Sequence, residues 1–148
     1  MAAGTPRPVR VLVVDDHPLF AKTLLAVLAG DPELDVVGLA VDGREALSLA
    51  RLLDPDVIAL DLQMPVMDGF ETIRKLRLRG DRAAVVVLTA SDSPGDERRA
   101  YELGADGFLT KDRVASDLRG ELLLAAGYDG SVAPSSRNSA SFLGSPPP

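Results

Sequence analysis

An acidic pair, Asp15-Asp16, a third aspartate, Asp61, a hydroxyl, Thr89, and an ammonium, Lys111, each stand just past the end of a short apolar run. The runs are Val11-Leu12-Val13-Val14, Val57-Ile58-Ala59-Leu60, Val85-Val86-Val87-Leu88 and Phe108-Leu109-Thr110. If they are parallel strands covered by helices, their carboxyl ends open on the crevice where such sheets bind ligands. Three carboxylates, a hydroxyl and an ammonium then converge. Two carboxylates about 4 Å apart repel by roughly 4 kcal/mol at an effective dielectric near 20, so three together require a proton or a cation. A hard divalent ion, Mg2+ above all, suits carboxylate oxygens in a site without a thiol or histidine cage. With that charge neutralised, the pocket can accept a phosphoryl group whose oxygens Lys111 and Thr89 are the right types to hold. The chemistry this predicts is phosphoryl transfer onto a carboxylate.

The elements that must position these groups follow from the hydrophobic pattern. Strand-like and helix-like segments alternate, which predicts βαβ units and a parallel sheet. The expected strands are Arg10 to Val14, Val36 to Ala40, Val57 to Leu60, Ala84 to Leu88 and Gly107 to Thr110. Between the first two, Pro18 fits an early helical position, and Leu19, Phe20, Thr23, Leu24, Val27 and Leu28 recur at helical spacing until Gly30. Asp42 caps a second helix with Ala46, Leu49, Ala50 and Leu53 as its stripe, and Asp68 caps a third that buries Phe70, Ile73 and Leu76. Ser93-Pro94 opens a fourth helix, whose apolar face is only Ala100, Tyr101 and Leu103, so its hold on the sheet is expected to be weak. Leu118, Leu122, Ala125 and Ala126 line a fifth.

Composition sets the outer limits. A chain of 148 residues with 46% hydrophobic content can build one core without staples, and with no cysteine it has no disulfide or thiolate metal site. No segment approaches the roughly 20 apolar residues of a membrane span, so the chain reads as soluble, unexported and cytoplasmic, with no membrane partner. A net charge of −6 argues against DNA binding by this chain alone. The basic stretch Arg74, Lys75, Arg77 and Arg79 reads as the solvated face of the third helix. Residues 9 to 127 are expected to form the folded domain, 1 to 8 a flexible N-terminus, and 128 to 148, rich in Ser, Pro and Asn, a disordered tail or truncated linker.

Asp15-Asp16, the segment Asp61-Leu62-Gln63-Met64-Pro65-Val66-Met67-Asp68-Gly69, Thr89-Ala90, and Lys111 after Gly104-Ala105-Asp106-Gly107-Phe108 together resemble the receiver domains of bacterial two-component response regulators. The resemblance implies a flavodoxin-like fold, a five-stranded parallel sheet of order 2-1-3-4-5. It implies that Asp61 takes a phosphoryl group from a sensor histidine kinase. Asp16 and Asp61 would hold Mg2+ by their side chains, Gln63 by its backbone carbonyl and Asp15 through water, and Lys111 would pair with the phosphoryl oxygens. Thr89 and Phe108 would be the switch residues, shifting the face built from the fourth and fifth strands and helices between two states. Such a chain catalyses its own phosphorylation and dephosphorylation yet is a regulatory module rather than an enzyme, and a homodimer on phosphorylation is one outcome.

Asp112 stands after the lysine where many receivers carry proline, and Phe108 stands where tyrosine is frequent. With His17 after the acidic pair and Leu109 before Thr110, the chain is more similar to receivers of the LuxR-type helix-turn-helix subfamily. That points to transcriptional control through an output domain absent here, which would supply any DNA contact. Bland readings compete at single positions: Asp15 or Asp16 as a helix cap, Phe108 as a static core residue, His17 as structural. The competing function is a pseudo-receiver, a docking module that works without phosphate. It requires damage in the acidic set, and the sequence has none.

Overall fold

β-Branched, unbroken apolar runs set the sheet. The computed structural model describes residues 7–90 and 93–128, with strands β1 (Val9–Val14), β2 (Leu34–Ala40), β3 (Val57–Asp61), β4 (Ala84–Thr89) and β5 (Gly107–Thr110). All neighbours run parallel in the order β2-β1-β3-β4-β5, the topology expected. The intervening helices are α1 (Pro18–Leu28), α2 (Gly43–Leu53), α3 (Gly69–Leu78), α4 (Pro94–Leu103) and α5 (Val114–Ala125).

Because successive strand residues face opposite sides, each run feeds two cores. Val9, Val11, Val13, Ala59, Val86 and Leu88 meet Leu24 and Leu28 of α1 and Leu118 and Leu122 of α5. The alternate set, Leu12, Val14, Ile58, Leu60, Val85 and Val87, meets Ala46 and Ala50 of α2, Ile73 and Leu76 of α3, and Ala100 of α4. Covering both faces leaves the polar strand ends as the place where side chains of β1, β3, β4 and β5 can meet. Among the described residues no helix is long and apolar enough to cross a membrane.

The caps follow the sequence. Asp42 accepts from the Glu45 N–H at 2.8 Å and Asp68 from the Glu71 N–H at 2.9 Å, each satisfying an orphan donor of the first helical turn. Neither Asp15 nor Asp16 caps α1, whose N-cap position is His17; Asp15 Oδ1 instead accepts the His17 N–H at 2.7 Å. Both acids are thereby kept at the sheet end.

Several expectations need correction. β2 begins at Leu34 rather than Val36, since its register against β1 shifts between Val11 and Leu12 and its burial is irregular, as on an edge strand. Leu19 is 81% exposed and Thr23 is exposed, because α1 begins beyond the sheet end and buries Ala21, Leu24 and Leu28 instead. A single 3-10 turn, Lys111–Arg113, joins β5 to α5. Tyr101 is exposed, which leaves Ala100 as the one buried residue of α4. Polar contacts add to that slender hold: Arg99 lies 4.1 Å from the centre of the Phe70 ring, and Arg77 donates to the Gly104 carbonyl at 2.9 and 3.1 Å. The basic face of α3 is therefore not wholly solvated. Arg77 also reaches the carbonyls of Asp81 and Ala83, and Arg79 reaches that of Leu47. The expectations for the tail beyond Tyr128 and for residues 1–6 lie outside the described residues.

Candidate functional site

Each element delivers one part of an acidic cup. The end of β1 supplies Asp15 and Asp16, the last residue of β3 is Asp61, and the turn after β5 opens with Lys111. Asp15 and Asp61 are 2% and 1% exposed, whereas Asp16 is partly open to solvent. Lys111 Nζ sits 3.4 Å from Asp15 Oδ2 and 3.4 Å from Asp61 Oδ2, bridging the two buried carboxylates. The ammonium also lies 4.2 Å from the centre of the Phe20 ring, a cation–π contact that holds the lysine over the start of α1. Sequence reading assigned Phe20 only to the helix core.

Asp61 is held at its other oxygen, where the Gln63 backbone N–H donates to Oδ1 at 3.1 Å. Burial pushes the Asp61 carboxyl above its ordinary range; the Gln63 N–H and the Lys111 ammonium pull it back, and the Asp15 charge adds to the rise. The Gln63 side chain itself points outward and is exposed. Gly69, the first residue of α3, packs beneath this turn, and a Cβ there would come 2.7 Å from the Asp61 carbonyl oxygen. Only glycine lets the helix start so close to the strand end.

Thr89 is fully buried at the end of β4, one residue beyond Leu88, the register partner of Asp61, and itself in register with Thr110. A cleft lined by Ala90, Thr110, Lys111 and Asp112 opens beside it. Phe108 is half-buried against the core shared by α2, α3 and α4, in register with Val87. The structure thus gathers Asp15, Asp61 and Lys111 into ion-pair contact, sets Asp16 beside them and places Thr89 at the same sheet edge.

His17 was read as structural, yet it faces the cup. Its Nδ1 lies 3.2 Å from Asp15 Oδ1, 3.1 Å from Asp16 Oδ1 and 3.5 Å from Asp61 Oδ2, although the side chain is 58% exposed. Its position directly after the acidic pair was the available signal. Three carboxylate oxygens, Asp15 Oδ2, Asp16 Oδ1 and Asp61 Oδ2, are buried and make no hydrogen bond. Lys111 stands 3.4 Å from two of them, but one ammonium does not balance three carboxylates, and one ligand atom from each of the three aspartates and His17 lie within 4.8 Å of one another. The donor set fits a divalent ion.

Residues 11–122 match the response regulator receiver domain family. The chain belongs to that family. This receiver is 40% identical over 119 residues to the nitrate/nitrite response regulator protein NarL of Escherichia coli K12, a match covering 80% of this chain and 55% of that protein. It is 45% identical over 105 residues to NarP of the same organism, covering 71% of this chain and 49% of that one. It spans about half the length of these relatives. Among solved structures it superposes on the signal receiver domain of NarL from Mycobacterium tuberculosis with a TM-score of 0.77 at 38% identity, covering 82% of this chain and 99% of that one. The response regulator domain of Thermotoga maritima CheB gives 0.76 at 30% identity, covering 83% and 99%.

Proposed function

We propose that this receiver accepts a phosphoryl group on Asp61 from a sensor histidine kinase and uses it to bias its β4-α4-β5-α5 face. One observation carries the reading: Asp61 Oδ2 is a buried carboxylate oxygen at the sheet end, ion-paired to the Lys111 ammonium 3.4 Å away. An oxygen so placed can attack phosphorus as the P–N bond of a phosphohistidine breaks, and Lys111 can follow the equatorial oxygens through the transfer. The opposing influences on Asp61 matter here. Burial pushes the carboxyl toward its protonated form, while Lys111 and the Gln63 N–H favour the ionised nucleophile.

Asp16 and Asp61 would hold Mg2+ through side chains, Gln63 through its carbonyl and Asp15 through water. When bound, that ion supplies charge neutralisation between two anions and a template for in-line transfer. Thr89 donates its hydroxyl to the new phosphoryl group, and Phe108 takes the more buried of two rotamers as the loop after β4 draws inward. The shift can be no larger than the difference in interaction energy between the two states, and moving a population from 1:99 to 99:1 takes about 5.5 kcal/mol. The weakly buried α4 is the element with least core to disrupt.

A separate output domain would carry DNA binding and make the role transcriptional, in keeping with the resemblance to LuxR-type receivers; this chain spans about half the length of the nitrate/nitrite response regulators it matches. The pseudo-receiver reading gains nothing, since the acidic set is intact and assembled. Incubation with acetyl phosphate and Mg2+ should give a base- and hydroxylamine-labile phosphoprotein that Asp61→Ala abolishes, and gel filtration of the product tests dimer formation. Labelling that needs no divalent ion would count against the scheme.

A further inference from the structure

We propose that Phe20 is a positioning residue for phosphoryl transfer, its ring holding the Lys111 ammonium between Asp15 and Asp61, where it can follow the phosphoryl oxygens. The inference rests on the reading of Asp61 as the acceptor. Lysine carries a compact charge on a flexible four-carbon stem, so the place of that charge is set by what surrounds it. Asp15 Oδ2 and Asp61 Oδ2 each stand 3.4 Å from Nζ. That separation exceeds the about 2.7–2.9 Å of a close charge-assisted hydrogen bond, so the ammonium is shared between the acids rather than seated on either. The Phe20 ring accounts for the stand-off. Nζ lies over its face, 4.2 Å from the centre, well inside the about 6 Å over which ring and cation attract.

The ring is itself held. Phe20 is partly buried and packs against the core that α1 and α5 share, whereas Leu19 and Thr23 of the same helix are exposed. Lys111 opens the turn that leads into α5, so ring and ammonium join the start of one helix to the approach of the other. Lys111 also lines a cleft with Ala90, Thr110 and Asp112, the side open to an arriving phosphoryl group. Phe20 acts through the lysine rather than on the reacting atoms: it settles the orientation of the ammonium during folding, so that the transfer step does not bear that entropy. The lysine side chain keeps 18% exposure, which places the contact between a wet and a dry cation–π pair and its effect on the positioned population at about three- to tenfold.

The test is the rate of Asp61 labelling by acetyl phosphate and Mg2+ in the full chain. Phe20→Leu should label about three- to tenfold more slowly, and in a Lys111→Met background the same change should cost nothing further, since the ring then has no cation to hold. Placing 3,5-difluoro- or 3,4,5-trifluorophenylalanine at position 20 keeps the shape of the ring while weakening the negative potential of its face, and the rate should fall in that order; this series carries the test if Phe20→Leu folds poorly. In nuclear magnetic resonance spectra the Lys111 ε-protons should be shifted upfield by the ring in wild type and lose that shift in Phe20→Leu. Fluorinated rings that label as fast as phenylalanine, or an equal slowing by Phe20→Leu with and without Lys111, would reduce Phe20 to packing and overturn the positioning role while Asp61 stands as acceptor. Equal labelling of Asp61→Ala overturns the acceptor reading itself.

Discussion

Replacing Lys111 by methionine tests the electrostatics of the cup without removing an acid. The ammonium faces two buried carboxylates at 3.4 Å each, and one such attraction is worth about 5 kcal/mol at an effective dielectric near 20 before desolvation is subtracted. Stranding a buried partner costs about 3–5 kcal/mol, and the 18% exposure that the lysine side chain keeps brings the expected loss just below that range, to about 2–3 kcal/mol. Methionine retains apolar contact with Phe20, so packing contributes little. At roughly 3 °C per kcal/mol, the thermal midpoint in EDTA should fall by about 6–9 °C.

Divalent cation should then narrow the gap. Ligand-linked stability grows by about 1.4 kcal/mol per decade of free metal above Kd, and the variant should bind metal more tightly because no ammonium competes for the oxygens. Acid should narrow it too, because the stranded carboxylates become neutral once protonated. Urea unfolding of both proteins across Mg2+ concentration and pH measures all three. A deficit below about 0.5 kcal/mol in EDTA, the size of an ordinary surface substitution, would show that Lys111 holds no buried charge in place.

Three further outcomes are expected. Asp61→Asn should stabilise the metal-free protein near neutrality: burial raises the Asp61 carboxyl, so its ionisation favours folding least as pH climbs through the folded value, and the advantage of asparagine should widen from acid to neutral pH. A pH-independent difference in urea midpoints would contradict this. Val66→Gly should raise stability by about 0.5–1 kcal/mol, since this β-branched residue sits at φ +70 with its side chain exposed and its neighbours closing a turn from the Met67 N–H to the Pro65 carbonyl at 2.7 Å; a lower thermal midpoint would show that the backbone there is unstrained. Gly69→Ala should cost about 1–3 kcal/mol and slow phosphoryl labelling, because the added Cβ meets the Asp61 carbonyl oxygen and Leu62 Cα at 2.7 Å each; unchanged stability would mean that α3 is free to withdraw.

Much of the site was legible because strand ends are marked by chemistry. The polar residue that stops each apolar run is also the one that the sheet carries to the cup, so Asp15, Asp16, Asp61 and Lys111 could be named from pattern alone. Helix caps at Asp42 and Asp68 were equally local, each decided within three residues. What stayed hidden depends on distant partners. His17 turns toward acids of which one is more than forty residues away, Phe20 meets Lys111 across the fold, and Arg77 finds the Gly104 carbonyl at the end of α4. None of those pairings leaves a periodic trace. The start of β2 is hidden for a related reason: Asp35 interrupts the apolar signal, and only pairing with β1 shows that the strand starts at Leu34.

The acyl phosphate itself offers the decisive reading. Protein treated with acetyl phosphate and Mg2+, then reduced with borohydride, should carry homoserine at position 61 by peptide mass spectrometry, with none in the absence of divalent ion. Homoserine at another aspartate, or phosphoprotein of equal yield from Asp61→Ala, would contradict the assignment of Asp61 as the acceptor.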